Sequence, residues 1–432
     1  MISKDPREAF VWIWLPGEVE PVVAGRLDVV GNSLRFRYGK SYLERENCIS
    51  IFTPELPLES EAIYPLAGLT VPGCIRDGAP DNWGRRVLVN RLFGKRGHDI
   101  QVDELSELTY LLESGSDRIG ALDFQRSATV YEARSSQNVT IEELLKSAEL
   151  VEKGVPLTPE LAQALQHGTA VGGARPKALI VDGDRKYVAK FSSSTDLYSV
   201  VKAEFLGMRL GKAVGLDVAN VHLCQAMSKD VLMIERFDRE KVPSGWQRRA
   251  MVSALTIFQL DEMMASYASY EDLAENIRYS FTNASVTLKE LYSRLIFNLL
   301  IGNTDDHARN HAAFWDGEWL KLTPAYDLCP QSRTGEEASQ AMLINGQNRS
   351  SQLTTVLRAA GSFLLTEEWG RSEILRQIQK ITENWTIICQ EANLNETDKN
   401  LLHTRQFLNP FIFYGLDDTE ILTAARMFKE TL

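Results

Sequence analysis

LYSRLIFNLLIGNTDDHARNHAAFWDGEWLKLTPAYD, residues 291–327, is the stretch from which the rest of the chain is read. Leu291, Leu295 and Leu299 fall on one helical stripe, with Tyr292, Ile296 and Leu300 beside it, so the segment opens as a strongly apolar helix. Gly302 and Asn303, residue types that tolerate positive φ, stop that helix. A loop dense in polar groups follows at once: Asp305, Asp306, His307, Arg309 and Asn310. A buried helix that ends in a polar loop is a rigid post for a working site. The spacing Asp305-x-x-x-x-Asn310 suits phosphoryl transfer, in which an Asp accepts the proton of a substrate hydroxyl and an Asn holds Mg2+. The strand-like run that follows delivers Asp327 as a second metal carboxylate. Solvated turns use the same residue types, so this spacing decides nothing by itself.

The composition sets the frame. A chain of 432 residues, 44% hydrophobic and 24% charged, has the balance of two or three globular domains. No run approaches the roughly 20 apolar residues of a membrane span, and the start, MISKDPREAFVWIWLPG, lacks the basic-then-apolar layout of a secretory signal. Cys48, Cys74, Cys224, Cys329 and Cys389 are odd in number and scattered, with no C-x-x-C, which predicts reduced thiols and a cytoplasmic protein. A net charge of −11 argues against a broad basic face for nucleic acid and leaves room for a DNA-binding partner.

Taken in order, residues 10–52 read as a small sheet, with runs at Phe10–Leu15, Pro21–Ala24, Ser33–Tyr38 and Ile49–Phe52. A Pro80-Asp81-Asn82 turn opens a helix carrying Trp83, Val87, Leu88 and Leu92, with Asp81 as its cap. A further helix breaks at Ser114-Gly115 and leads into a short strand. This mixed α/β region, residues 1–135, reads as structural or docking in role. Residues 136–240 hold a glycine-bearing turn, then two β-runs, Ala178–Val181 and Tyr187–Phe191, joined by a hairpin turn. Gly172 and Gly173 would let main-chain N–H groups approach phosphates. Lys190 would reach them from its strand, and Glu204 on the next helix is a candidate partner for that lysine. The strand closing on ERFDR resembles a hinge between two lobes, where main-chain groups of Glu235 and Phe237 could pair with an adenine edge. Residues 241–432 are mostly helical.

The order of these parts is that of a two-lobed kinase: glycine turn, strand lysine, helix glutamate, hinge, D-x4-N loop, second Asp. Mg2+ takes hard oxygen ligands, which suits Asn310 with Asp327. His307 and His311 have the i,i+4 spacing of a zinc pair, but no H-E-x-x-H accompanies them. No G-x-S-x-G and no G-x-G-x-x-G after a first strand are present.

Several longer motifs resemble the HipA-type serine/threonine kinases of bacterial toxin–antitoxin systems. They are SDRIGALDF at residues 116–124, GGARPKAL at 172–179, ERFDR at 235–239, SYEDLAENIR at 269–278, FNLLIGNTDDHARNHA at 297–312 and LTPAYDL at 322–328. The resemblance implies an α+β fold: a two-lobed, protein-kinase-like body with a small β-rich lobe and a large helical lobe, behind an N-terminal mixed α/β domain. It implies ATP and Mg2+, with Asp305 as catalytic base, Asn310 and Asp327 on the metal, and Lys190 on phosphate. Gly172, Gly173, Ala174, Arg175, Pro176 and Lys177 would form the phosphate loop. Glu235, Arg236 and Phe237 would form the hinge, and His307 and Tyr326 would also face the nucleotide. The implied substrate is an aminoacyl-tRNA synthetase, glutamyl-tRNA synthetase in the best-known member, whose phosphorylation arrests growth. The implied partner is a HipB-like helix-turn-helix antitoxin that carries the toxin onto operator DNA. Family members autophosphorylate a serine just ahead of the glycine loop. Here Ala170 takes that position, and Thr169 beside it is the candidate hydroxyl. Two other classes fit the same motifs: a corepressor scaffold whose catalysis is dispensable, and a kinase acting on small-molecule hydroxyls.

Overall fold

The computed structural model describes residues 5–431 except 95–100, 135–138, 159–160, 163–164, 166–168, 170, 174, 194–195 and 334. Ala170 and Ala174 therefore lie outside the described residues. The fold class is α+β, and no helix among the described residues is long and apolar enough to cross a membrane. The chain forms two units: Met1–Asp196 with Cys224–Val252 and Phe314–Glu318, and Leu197–Leu223 with Ser253–Ala313 and Trp319–Leu432. The N-terminal region and the glycine-turn hairpin thus share one unit.

In the first unit, β1 (Glu8–Ile13), β2 (Val22–Val30), β3 (Ser33–Tyr38) and β4 (Leu122–Gln125) form an antiparallel sheet of order β3-β2-β1-β4. Alternation puts Ala9, Val11 and Ile13 of β1 and Leu34, Phe36 and Tyr38 of β3 into its core. The strand expected at Ile49–Phe52 does not form. Ser50, Ile51 and Phe52 are buried as irregular chain because polar groups there find side-chain partners: the Ile51 N–H donates to the Tyr38 hydroxyl at 2.9 Å, and the Ser50 and Thr53 hydroxyls pair at 2.7 Å. Helix α1 (Asn82–Phe93) buries Trp83, Val87 and Leu88 but leaves Leu92 exposed. Helix α2 (Glu107–Glu113) is capped by Ser106, and α3 (Ile141–Glu152) by a Thr140–Glu143 capping box. The hairpin of β5 (Lys177–Asp182) and β6 (Arg185–Phe191) turns at Gly183-Asp184. Strand β7 (Val221–Ala226) ends in this unit and leads to β8 (Lys229–Glu235), which pairs with β6. Tyr187, Ala189 and Phe191 of β6 pack with Val231, Met233, the α3 leucines and Trp83 into one core, so the alternate residues, Lys190 among them, take the other face.

The second unit is helical. Its longest helices among the described residues are α4 (Val200–Ala213), α5 (Tyr270–Ser280), α6 (Ala284–Ile301), α7 (Glu367–Glu391) and α8 (Thr419–Lys429). Helix α6 begins ahead of the apolar stripe read from sequence, and every residue from Leu291 to Ile301 is buried, so it is the central post. Arg294 is buried with its charge met: it donates to the Glu290 carboxylate at 2.7 Å and to the carbonyls of Thr323 at 2.9 Å and Asp217 at 3.2 Å. Trp385 of α7 is fully enclosed by the rings of His403, Phe407 and Phe428.

Candidate active site

The post ends as its sequence dictates. Gly302 adopts φ +70°, and a Cβ there would sit 2.7 Å from the Gln406 carbonyl oxygen, so only glycine serves both demands. The Asn303 N–H returns to the Asn298 carbonyl at 2.8 Å, and its side-chain amide donates to Asn298 Oδ1 at 2.9 Å. The two adjacent aspartates then part company. Asp306 is buried, and its Oδ2 accepts from Asn298 Nδ2 at 2.7 Å and from the Tyr270 hydroxyl, and faces His311 Nε2 at 3.1 Å. It bolts the loop to α6 and α5, a role that sequence reading missed. Two aspartates in a row, the second followed five residues on by a histidine, gave no signal of which one turns inward. His311 is committed there rather than to a pair with His307.

Asp305 faces outward, and its carbonyl accepts the His307 N–H at 2.9 Å and the Asn310 side-chain amide at 3.2 Å. Partial burial raises the pKa of its carboxyl. His307 opposes that rise and the Asp327 charge adds to it. Asp305 and Asp327 are therefore close enough to repel, an arrangement that a cation relieves. Asp327 has a left-handed φ of +60°, a region that aspartate enters more readily than most non-glycine residues. Its carbonyl accepts the Cys329 N–H at 2.9 Å. Asn310 is buried. The Tyr326 hydroxyl donates to the Arg309 carbonyl at 2.7 Å, tying the Asp327 segment to the loop, and Arg309 pairs with Glu262 at 2.7 Å. His307 keeps a buried Nδ1 with no hydrogen-bond partner. Asp305, His307, Asn310, Tyr326 and Asp327 thus cluster in one unit. No group of three His, Cys, Asp or Glu residues there could hold a metal by itself among the described residues. Asn310 and Asp327 do fit Mg2+, which needs few protein oxygens when phosphate and water supply the rest. Glu204 is buried on α4 of this unit.

The remaining candidates lie in the first unit. Lys177 of β5 stands opposite Lys190 of β6, on the face away from the core. Like charges opposed across a ladder repel, and Lys177 turns its Nζ onto the Gly172 carbonyl. Gly173 has φ +110°, and a Cβ there would overlap that Nζ. Arg175 pairs with Asp196 at 2.7 Å, and the Pro176 carbonyl accepts the Phe191 N–H at 3.0 Å. Thr169 is fully buried, its hydroxyl oxygen accepting the Gly115 N–H at 3.2 Å. Asp81 sits at the N-cap of α1 but makes no side-chain cap there; its carboxylate accepts the Gly173 N–H instead.

At the hinge one expectation needs correction. The Arg236 guanidinium does not face a nucleotide: it is enclosed, donating to Asp117 at 3.1 Å, to Asp238 at 2.8 Å and to the Arg118 carbonyl at 2.6 Å. Asp117 also takes Arg239 at 2.9 Å and Lys186 at 2.6 Å, while Asp238 takes Arg239 at 3.0 Å and the Gly120 N–H at 2.8 Å. SDRIGALDF and ERFDR, far apart in sequence, are the two halves of this one ion network. Burial pushes both carboxyls up, but the surrounding cations outweigh it. Asp117 is held well below the usual carboxylate range and Asp238 at about 2. The Arg236 N–H goes to the Lys186 carbonyl at 2.8 Å, so ladder alternation turns the main-chain groups of Glu235 away from β6. The Glu235 side chain pairs with Arg185 at 2.9 Å, and the Phe237 ring meets Phe314 edge-on.

Residues 18–125 match the HipA N-terminal domain and residues 169–385 the HipA-like C-terminal domain. A Sinorhizobium fredii protein whose name marks it provisionally as a kinase is 29% identical over 196 residues, 40% of this chain and 45% of that protein. The serine/threonine-protein kinase toxin HipA of Shewanella oneidensis is 24% identical over 270 residues, 56% of this chain and 61% of that one. These alignments span about half the length of the curated relatives. The fold matches a chain from the Shewanella oneidensis complex of HipA, HipB and operator DNA with a TM-score of 0.65 at 19% identity, covering 97% of this chain and 96% of that one. The two domain matches together span most of the chain, which belongs to the HipA family of kinase toxins.

Proposed function

We propose that this protein is an ATP-dependent protein serine/threonine kinase of toxin type. The observation that carries the reading is the approach of the Asp327 charge to Asp305 on the loop that holds buried Asn310, with Tyr326 tying the Asp327 segment to that loop and Asp306 anchoring it from behind. In this reading Asp305 accepts the proton of the attacking hydroxyl. Its raised pKa brings it nearer the operating pH, as a general base requires. Asn310 and Asp327 would hold Mg2+, which when bound offsets the charge of the transferred phosphoryl group. Lys190 and the glycine turn would receive phosphates, and the hinge main chain at Glu235 and Phe237 the adenine. Phosphoryl transfer needs positioning and charge more than covalent help, so this set suffices. The substrate is a protein of translation, of aminoacyl-tRNA synthetase class, and its phosphorylation arrests growth. A HipB-like antitoxin restrains the enzyme and joins it to operator DNA; the likeness to a chain of the HipA–HipB–DNA complex supports that partner.

The test is phosphosite mass spectrometry after brief expression in cells, comparing wild type with Asp305→Asn and Asp327→Asn. Wild type should add phosphosites on a translation protein, and both variants should lose them by about 100-fold or more. Equal phosphorylation and growth arrest by Asp305→Asn would refute the kinase mechanism. Label from ATP ending on a metabolite would move the substrate to the small-molecule class.

A further inference from the structure

The start of α1 holds the glycine turn at three points, all within the first unit. The Asp81 carboxylate accepts the Gly173 N–H. The Trp83 indole donates to the Lys177 carbonyl at 3.2 Å. At Gly84 the two backbones run so close that a Cβ would overlap the Thr169 carbonyl oxygen. Asp81 is the N-cap residue of α1, where an aspartate ordinarily accepts an N–H of its own helix, yet it caps none of them. It reaches instead to an amide 92 residues away. A Cβ on Gly172 would lie 2.9 Å from Asp81 Oδ2, while one on Gly173 would overlap Lys177 Nζ, so a carboxylate and an ammonium flank the same two glycines.

An anionic oxygen accepting from a glycine-turn N–H is the contact a phosphate oxygen makes there. One N–H aimed at Asp81 cannot also serve a phosphate. We propose that Asp81 is an internal anion occupying the phosphate position of the glycine turn, so that an incoming polyphosphate must displace it and thereby frees the start of α1. The inference rests on the reading of the glycine turn as a phosphate site. Once Asp81 leaves, Lys177 stands beside the vacated amide as the cation for the newcomer.

The test is calorimetric titration of the full chain with Mg-ATP and, separately, with tripolyphosphate, using wild type, Asp81→Ala and Asp81→Asn. Asp81→Ala should bind both ligands about 5- to 10-fold tighter, with Asp81→Asn between, because removing a charged competitor frees a donor. Amide exchange in residues 79–90 should rise when wild type binds ligand. It should already be high in Asp81→Ala. If Asp81→Ala does not fold, Asp81→Asn, which keeps the shape, carries the same comparison. Equal or weaker binding by the variants overturns the proposal and makes Asp81 a shaping residue. Tighter tripolyphosphate binding with no ATP binding by any form leaves the latch standing and removes the kinase reading. No binding of either ligand removes both.

Discussion

Asp117→Asn keeps the shape of a side chain and removes one charge from the buried network. Three cations, Lys186, Arg236 and Arg239, face two carboxylates there, Asp117 and Asp238. After the substitution one carboxylate is left for three cations, two of which have side chains no more than 1% exposed. Breaking a buried pair from one side costs about 3–5 kcal/mol. Asparagine still accepts a hydrogen bond, which puts the loss near the low end, about 3 kcal/mol. Arg236→Met removes a cation instead and leaves two against two, so it should cost less, about 2 kcal/mol. In a unit of this size each kcal/mol moves the melting temperature by about 2–4 °C, giving falls of about 6–12 °C and 4–8 °C. Scanning calorimetry of the full chain measures both. The carboxyls are held below their unfolded value of about 3.9, so their contribution is complete above about pH 4. It is lost as pH falls through the folded values, about 2 for Asp238. Asp117→Asn should flatten that acid loss. A variant as stable as wild type, or Arg236→Met more damaging than Asp117→Asn, refutes the charge accounting.

Three further outcomes are expected. Gly302→Val forces a β-branched residue into φ +70° against the Gln406 carbonyl; it should cost about 2 kcal/mol or more, read as a lowered urea midpoint. Asp306→Ala strands the buried donors of Tyr270 and Asn298 and should cost about 3 kcal/mol, with loss of phosphorylation although Asp305 is untouched; full activity would show that the loop holds without its bolt. Burial pulls the Lys429 ammonium down from 10.5 to about 8, so between about pH 8 and 10.5 the unfolded chain holds the extra proton and stability should rise with pH. Lys429→Met should abolish that rise in chemical-denaturation curves taken across the interval.

The post and its stop were legible because they are local: an apolar stripe, then a glycine forced by φ. The hairpin and the break at Ser114 were legible for the same reason. What escaped depends on partners distant in sequence. Asp81 looked like a cap because its own helix is the nearest user of a carboxylate, and only the folded chain brings Gly173 to it. Arg236 looked like a ligand because it stands in the hinge motif, while its acceptor Asp117 lies in the other motif. Ile49–Phe52 has strand composition, but a tyrosine hydroxyl met its backbone before a neighbouring strand could. Of Asp305 and Asp306, nothing nearby in sequence says which turns inward; Tyr270 decides it.

Helix α8 is linked to the Asp305 loop by a short relay. Lys429 donates to the Phe407 carbonyl at 2.8 Å, the Leu408 N–H to the Leu300 carbonyl at 2.7 Å, and the Gln406 carbonyl closes over Gly302. The segment from Gln406 to Leu408 is therefore a keystone under the first turn of the loop, and α8 holds it in place. Loosening α8 would unseat Asp305 at second hand, so the geometry of that loop is hostage to packing well outside it.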